Sequence, residues 1–198
     1  MAAKTLTIDG KHVSADESAT ILDAAVDAGI SIPTLCHLEG VYDVGACRLC
    51  LVDVQGRGIQ GACSTPPEAG LKVRTQTEEI REIRKIAIEL LLANHDRECT
   101  SCVRSGSCQL QDIARRLGIT KIRYRSIHQP KPVDTSSPSL IRDPNKCVLC
   151  GDCVRFCDEI AGKPQLTFTE RGDHVVLTTF PGQLLDNPYS MNTIDLCP

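Results

Sequence analysis

The sequence contains no tryptophan and only three phenylalanines and three tyrosines in 198 residues. A large aromatic core is therefore excluded, and small modules short of core lean on metals or cross-links for stability. No run approaches the roughly 18 consecutive apolar residues that a membrane-spanning helix needs. The opening Met1-Ala2-Ala3-Lys4-Thr5 leads into a polar strand and carries no apolar signal segment. A net charge of −3 gives no electrostatic ground for nucleic acid or an anionic membrane as a partner. These shortages predict a cytoplasmic chain with no membrane insertion, divided into a few small modules.

Cysteine is what the chain has in excess, with twelve residues. In a reducing compartment, clustered cysteines read as metal ligands and not as a disulfide framework. Together with one histidine they fall into three sets. The first is Cys36, Cys47, Cys50 and Cys63, spaced C-x10-C-x2-C-x12-C. The second is His95, Cys99, Cys102 and Cys108, spaced H-x3-C-x2-C-x5-C. The third opens with Cys147, Cys150 and Cys153 and closes with either Cys157 or Cys197.

Around these sets the pattern predicts an α+β fold. Residues 4–14 alternate as a hairpin turning at Asp9-Gly10, with Leu6, Ile8 and Val13 apolar. Thr20 caps a helix striped by Ile21, Leu22, Ala25 and Val26 and ending at Gly29. Pro33 blocks its continuation and leaves Cys36 in a loop. Leu49–Val54, Ile59–Cys63 and Leu71–Val73 read as strands. Strand pair, helix, cysteine loop, strand pair is the order of a β-grasp ferredoxin.

Thr77, Glu78 and Glu79 then open a helix whose apolar positions are Ile80, Ile83, Ala87, Leu90 and Leu91, and which delivers His95 at its end. A second helix, Leu110–Leu117, follows Cys108, and the basic run Arg115, Arg116, Lys121, Arg123 and Arg125 reads as a solvated face. Pro130, Pro132 and Pro138, among serines and threonines, mark residues 129–139 as a linker or extended strap. A cysteine loop, a short helix and strands at Leu166–Thr169 and Val175–Thr179 complete the chain. The expected division is a β-grasp [2Fe-2S] domain over 1–77, a small helical His/Cys3 [4Fe-4S] domain over 78–128, the linker 129–139, and a ferredoxin-like [4Fe-4S] module over 140–198.

One motif is misleading. Gly56-Arg57-Gly58-Ile59-Gln60-Gly61 fits G-x-G-x-x-G, but a dinucleotide fingerprint must open a helix whose N-terminus meets the pyrophosphate. Cys63 and Pro66-Pro67 follow instead, so this is a glycine-rich hairpin turn.

The donor chemistry of the sets points to iron. Thiolates are soft, charged donors, and four of them match the corners of an iron–sulfur cluster. The first gap of ten residues departs from the plant-type C-x4-C-x2-C, while small Gly45 and Ala46 let backbone N–H groups approach the sulfurs. Cys3His could also be structural zinc. The compact spacing, within fourteen residues and between two other cluster-like sets, favours a four-iron cluster. As an alternative role, His95 could simply serve the dipole at a helix C-terminus. The third set resembles the bacterial ferredoxin run C-x2-C-x2-C-x3-C, whose fourth cysteine serves another cluster. The missing ligand then comes from a later Cys-Pro, here Cys197-Pro198.

Several segments together resemble one family. They are Ile32-Pro33-Thr34-Leu35-Cys36, Gly45-Ala46-Cys47-Arg48-Leu49-Cys50, Asn94-His95 through Cys108-Gln109-Leu110-Gln111, Cys147-Val148-Leu149-Cys150 with Cys153-Val154-Arg155, and Ile194-Asp195-Leu196-Cys197-Pro198. The family is the large iron–sulfur subunit of bacterial complex I. Similar chains are the diaphorase small subunit of NAD-reducing hydrogenases, the N-terminal region of iron-only hydrogenases, and subunits of NAD-linked formate dehydrogenases and electron-bifurcating complexes. The resemblance implies one [2Fe-2S] cluster on Cys36, Cys47, Cys50 and Cys63. It implies two [4Fe-4S] clusters, one on His95, Cys99, Cys102 and Cys108, the other on Cys147, Cys150, Cys153 and Cys197. It also implies a flavin- and NAD(P)(H)-binding iron–sulfur partner, a thioredoxin-like [2Fe-2S] partner, and a hydrogenase, formate dehydrogenase or ferredoxin beyond them. Iron-only hydrogenases continue with a second C-x2-C-x2-C run and a catalytic domain, neither of which occurs in these 198 residues.

The expected role is thus electron transfer within a multisubunit NAD(P)H-linked oxidoreductase. The chain would relay electrons between a partner's flavin and a distant acceptor and would have no substrate site or catalytic residue of its own. The rival is a zinc-binding structural or interaction module.

Overall fold

A computed structural model describes residues 3–126 and 129–198. The dipeptide Met1-Ala2, and the domain end expected at 128, lie outside the described residues. The chain forms two compact units. The first takes in residues up to His37, Asp43–Ile88 and Ile113–Ile119; the second takes in Leu38–Tyr42, Glu89–Asp112 and the chain from Thr120 onward. Among the described residues no helix is long and apolar enough to cross a membrane.

The first unit is a β-grasp. Strands β1 (Lys4–Ile8), β2 (Lys11–Ala15), β3 (Leu51–Val54), β4 (Gly58–Gly61) and β5 (Lys72–Arg74) form a five-stranded sheet in the order β2-β1-β5-β3-β4. The Asp9-Gly10 turn sets β1 against β2 in antiparallel register, with Leu6 opposite Val13. Asp9 and Gly10 both adopt positive φ, which Asp and Gly tolerate better than other residues. β1 also runs parallel to β5, where Thr7 N–H donates to the Leu71 carbonyl at 2.8 Å. The Asp9 carboxylate then accepts from the Thr75 amide at 2.8 Å and fastens the far end of β5.

Helix α1 (Ile21–Asp27) crosses this sheet behind a capping box: the Thr20 hydroxyl accepts from Asp23 N–H while the Asp23 carboxylate accepts from Thr20 N–H. It buries Ile21, Leu22, Ala24 and Ala25, whereas Val26, expected on the apolar stripe, is 60% exposed. The inward face is therefore rotated toward Ala24. Ile21, Leu22, Leu6, Ile8, Val13, Val52, Val54 and Val73 make the aliphatic core, with Cys50 and Cys63 at its edge. The glycines of the G-x-G-x-x-G string build the β3–β4 hairpin, with Gly56 and Gly58 at positive φ and Val54 paired with Gly58.

Helix α2 (Glu78–Asn94) begins behind Thr77, whose hydroxyl accepts from Ile80 N–H at 3.2 Å. Its buried line is Ile80, Arg84 and Ile88, and Leu90, expected on the apolar face, is 48% exposed. Arg84 is 1% exposed and donates to the Leu49 carbonyl at 2.8 Å, the Leu51 carbonyl at 2.7 Å and the Thr75 carbonyl at 3.0 Å. Burial lowers its pKa, and the three carbonyls compensate the buried cation. Arg84→Met should destabilise the first unit by about 3 kcal/mol, because buried carbonyls lose charge-assisted donors. Urea denaturation followed by circular dichroism would measure this; a loss below about 1 kcal/mol would show that water replaces the guanidinium. For the same reason a fragment ending at residue 92 should outlast one ending at 77.

Helix α3 (Gln109–Arg116) starts directly after Cys108, and its Asp112 amide donates to the Cys108 carbonyl at 3.1 Å. The segment 129–139 is extended and pairs with the chain beyond it: Asp134 and Arg142 exchange both backbone hydrogen bonds, at 2.8 and 2.9 Å. A one-turn helix α4 (Asp152–Arg155) passes into a π-helical turn at Phe156–Ile160. Strands β6 (Leu166–Thr169) and β7 (Val176–Thr179) form a hairpin, and α5 (Asn192–Leu196) ends at Cys197. Leu140, Phe156, Cys157, Leu166 and Leu185 make a second, smaller core. The five basic residues at 115, 116, 121, 123 and 125 are exposed, and Arg123 pairs with buried Glu89 at 2.6 Å.

Candidate metal centres

In the first unit the four cysteines of the first set meet as two neighbouring pairs. Cys36 and Cys47 share a thiol hydrogen bond that pushes the Cys36 thiol up and holds Cys47 down at about 6. Cys50 and Cys63 share another, which pushes Cys63 up and holds Cys50 at about 7. Charge on Cys47 also raises the Cys50 thiol, and charge on Cys36 the Cys63 thiol, so each pair acts on the other. Backbone amides serve the sulfurs: Cys47 N–H donates to Cys36 Sγ at 3.3 Å. Arg48, inside the C-x2-C turn, stands at φ 55°, a left-handed conformation that costs a non-glycine residue of order 1–3 kcal/mol. A cluster's thiolates need such amide donors, and the loop is bent to provide them.

The second set lies along one turn-rich loop at the end of α2. Cys102 N–H donates to the Cys99 carbonyl at 3.3 Å, and Ser105 N–H to the Cys102 carbonyl at 3.0 Å. The His95 Nδ1 is buried with no hydrogen-bond partner among the described residues. Desolvation lowers its pKa and so favours the neutral imidazole that ligation requires. An orphaned buried imidazole nitrogen is costly unless something binds it, which fits a metal centre. The loop is moored at its start, where Asp96 N–H donates to the Asn145 carbonyl at 2.8 Å and Asp96 pairs with Lys146 at 3.6 Å.

The third set follows the turn at 147–153. Leu149, at φ 55°, donates its N–H to Cys147 Sγ at 3.4 Å. Gly151 stands at φ +81°, a conformation that favours glycine, and the Phe168 ring lies 3.4 Å from where a Cβ would be. Cys150 and Cys153 are pushed up, Cys153 to about 12, by desolvation first and then by charged neighbours that include Cys197. Cys197 is an exposed residue whose thiol is raised by desolvation and by Cys147, with Arg104 opposing the shift. Its electrostatic neighbours thus include Cys147, Cys150 and Cys153, and Cys108 of the second set as well. Cys157 is fully buried in the small core, and its thiol accepts a hydrogen bond from Asn187.

Among the described residues no cysteine is joined in a disulfide. Among the described residues no three His, Cys, Asp or Glu side chains gather tightly enough for a single metal ion. Spacing alone did not reveal the supports of these loops: Arg84, which holds the carbonyls flanking Cys50, and Asn145, which joins two of the loops.

Three family models match the chain in order. A 2Fe-2S iron-sulfur cluster binding domain covers residues 2–78, the NADH-ubiquinone oxidoreductase-G iron-sulfur binding region covers 84–123, and the NADH-quinone oxidoreductase subunit 3 ferredoxin-like domain covers 137–198. The NADPH-Fe(3+) oxidoreductase subunit alpha of Geobacter sulfurreducens is 38% identical over 195 residues, which is 98% of this chain and 23% of that one. The mitochondrial NADH-ubiquinone oxidoreductase 78 kDa subunit of Neurospora crassa is 37% identical over 98% of this chain and 26% of its own length. The chain therefore spans about a quarter of these curated relatives. A chain of NAD+-reducing [NiFe]-hydrogenase in its H2-reduced state superposes with a TM-score of 0.86 at 35% identity, over 91% of this chain and 76% of that chain. The matched domains are of two-iron and four-iron cluster-binding kinds.

Proposed function

We infer the function from one premise: the chain belongs to the family of iron–sulfur subunits of NAD(P)H-linked oxidoreductases, with relatives in NADH-quinone oxidoreductase and in NAD+-reducing [NiFe]-hydrogenase. It acts as the electron relay of such a complex in the cytoplasm. Cys36, Cys47, Cys50 and Cys63 hold one [2Fe-2S] cluster in a domain over 1–77. His95, Cys99, Cys102 and Cys108 hold a [4Fe-4S] cluster in a domain over 78–128. After the strap 129–139, Cys147, Cys150, Cys153 and Cys197 hold another in a module over 140–198. When bound, such clusters supply one-electron redox chemistry. The chain's own residues bind and orient them: thiolates and one imidazole ligate, the Cys47 and Leu149 amides serve sulfurs, and the two small cores limit water.

One observation carries this reading. The three donor sets fall in sequence inside the three matched regions, and each set lies within a single structural unit. The partners that suit the relay are a flavin- and NAD(P)(H)-binding iron–sulfur subunit, a thioredoxin-like [2Fe-2S] subunit, and a hydrogenase, formate dehydrogenase or ferredoxin. Anaerobically purified protein should be brown and carry about ten irons and ten sulfides per chain. A colourless protein with roughly two or three zincs would overturn the relay in favour of a zinc module.

A further inference from the structure

A cavity of about 600 Å³ in the second unit lies beside the third cysteine set, lined among others by Lys131, Asp134, Arg142, Asp143, Cys147 and Thr178. Arg142 is held firmly on one side only. Its backbone pairs with Asp134 in both directions, and its Nη2 is bound by the Asp134 carboxylate. The other two guanidinium nitrogens, Nε and Nη1, are buried and have no hydrogen-bond partner among the described residues. The side chain as a whole is 14% exposed. A buried cation does not leave two donors idle without cost, so an acceptor belongs there.

The cavity itself argues against a free anion as that acceptor. Asp134, Asp143 and Glu170 line it along with the two cations, and Asp134 already neutralises one edge of the fork. Cys147 lines the same cavity, and the sulfur of a cysteine that ligates a cluster is an acceptor such donors can serve. Lys131 is fixed in turn: its amide donates to Asn145 Oδ1 at 2.8 Å, Asn145 Nδ2 returns the bond to the Lys131 carbonyl at 2.8 Å, and Lys131 Nζ donates to the Val175 carbonyl at 3.1 Å. The strap at 129–139 is thus pinned to the cysteine loop and brings a second positive charge to the cavity.

We propose that Arg142 is a positioning residue of the third cluster, donating through Nε and Nη1 to sulfur on the Cys147 side and raising the potential of that site. This rests on the ligand reading above. A donor and a positive charge beside sulfur stabilise the reduced form, which carries one more negative charge, and hydrogen bonds to sulfur are among the levers that set cluster potentials.

The test is a redox titration of the full chain followed by EPR, with the third-site signal identified by its absence in Cys150→Ala. In Arg142→Gln the ratio of reduced to oxidised third cluster at a fixed potential should fall about tenfold, equivalent to about 59 mV for a one-electron couple. Arg142→Lys keeps the charge but loses the fork, and should fall about threefold. The first-set signal should stay in place in both variants. If Arg142→Gln does not load iron, Arg142→Lys decides on the same criterion. A loaded third site whose ratio matches the unmodified chain overturns the role of Arg142 and leaves the ligand reading standing. An unmodified chain that never gives a third-site signal removes the ligand reading and this inference with it.

Discussion

Cys197→Ala is expected to abolish the third [4Fe-4S] site or convert it to a three-iron form, while Cys157→Ala keeps iron and sulfide content unchanged. The physical difference between the two thiols is their company. Cys197 shares an electrostatic field with Cys147, Cys150 and Cys153 and stands where α5 ends, its amide donating to the Ile194 carbonyl at 3.2 Å. Cys157 is 0% exposed among Leu140, Phe156, Leu166 and Leu185, where a free cysteine behaves as a small hydrophobe. Removing its sulfur leaves a small void and an Asn187 donor with one acceptor fewer, a cost of about 1 kcal/mol that shows in a melting curve and not in the metal analysis. Iron content and EPR of the two variants check the assignment. A Cys157→Ala protein short of about four irons, beside a fully loaded Cys197→Ala protein, would reverse it and make the chain's last turn dispensable for the cluster.

The sequence signals that read well were local ones. The Asp9-Gly10 turn, the Thr20 cap and the alternation of Leu6, Ile8 and Val13 each act over a few residues, and each specifies one step of the β-grasp sheet. The C-x2-C turns are legible for the same reason, since each needs only its own backbone. Burial faces were less legible. Val26 and Leu90 fit helical periodicity but face outward, because which apolar positions are covered depends on the partner surface.

Long-range polar contacts left no trace in the pattern. Arg84 occupies a core position of α2 and binds carbonyls 33 and 35 residues away, and a charged residue on an inward face looks like an exception to periodicity. Asn145 and Arg142 read as ordinary polar residues flanking a cysteine, yet one joins three segments and the other lines the cavity beside Cys147. Arg155 entered the sequence reading only as the end of Cys153-Val154-Arg155, yet it is 2% exposed, bound to Asp152 and to the Tyr42 carbonyl, and lies 5.8 Å from the Tyr42 ring centroid. In each case the sequence shows a donor and the fold decides what accepts.

His95 brings the remaining large effect, and its variants should separate ligation from mere helix ending. His95→Ala removes the only imidazole of its set and should leave the second cluster labile, with about four irons lost on gel filtration. His95→Cys should keep the cluster but lower its potential on the order of 100 mV. Two imidazoles for two thiolates lift Rieske centres roughly 250 mV or more above plant-type sites, and one exchange in reverse should recover a fraction of that. The sign follows from charge, because a neutral imidazole leaves the site one negative charge lighter than a thiolate and so eases reduction. Burial supports the neutral form: desolvation already disfavours imidazolium, and the Nδ1 is enclosed without a partner among the described residues. A histidine that only completes the end of α2 predicts something else, a change in stability of about 0.3–1 kcal/mol with the EPR spectrum and potential unmoved. Redox titration of His95→Cys beside iron analysis of His95→Ala distinguishes the two, and an unchanged spectrum in both variants would return His95 to the helix.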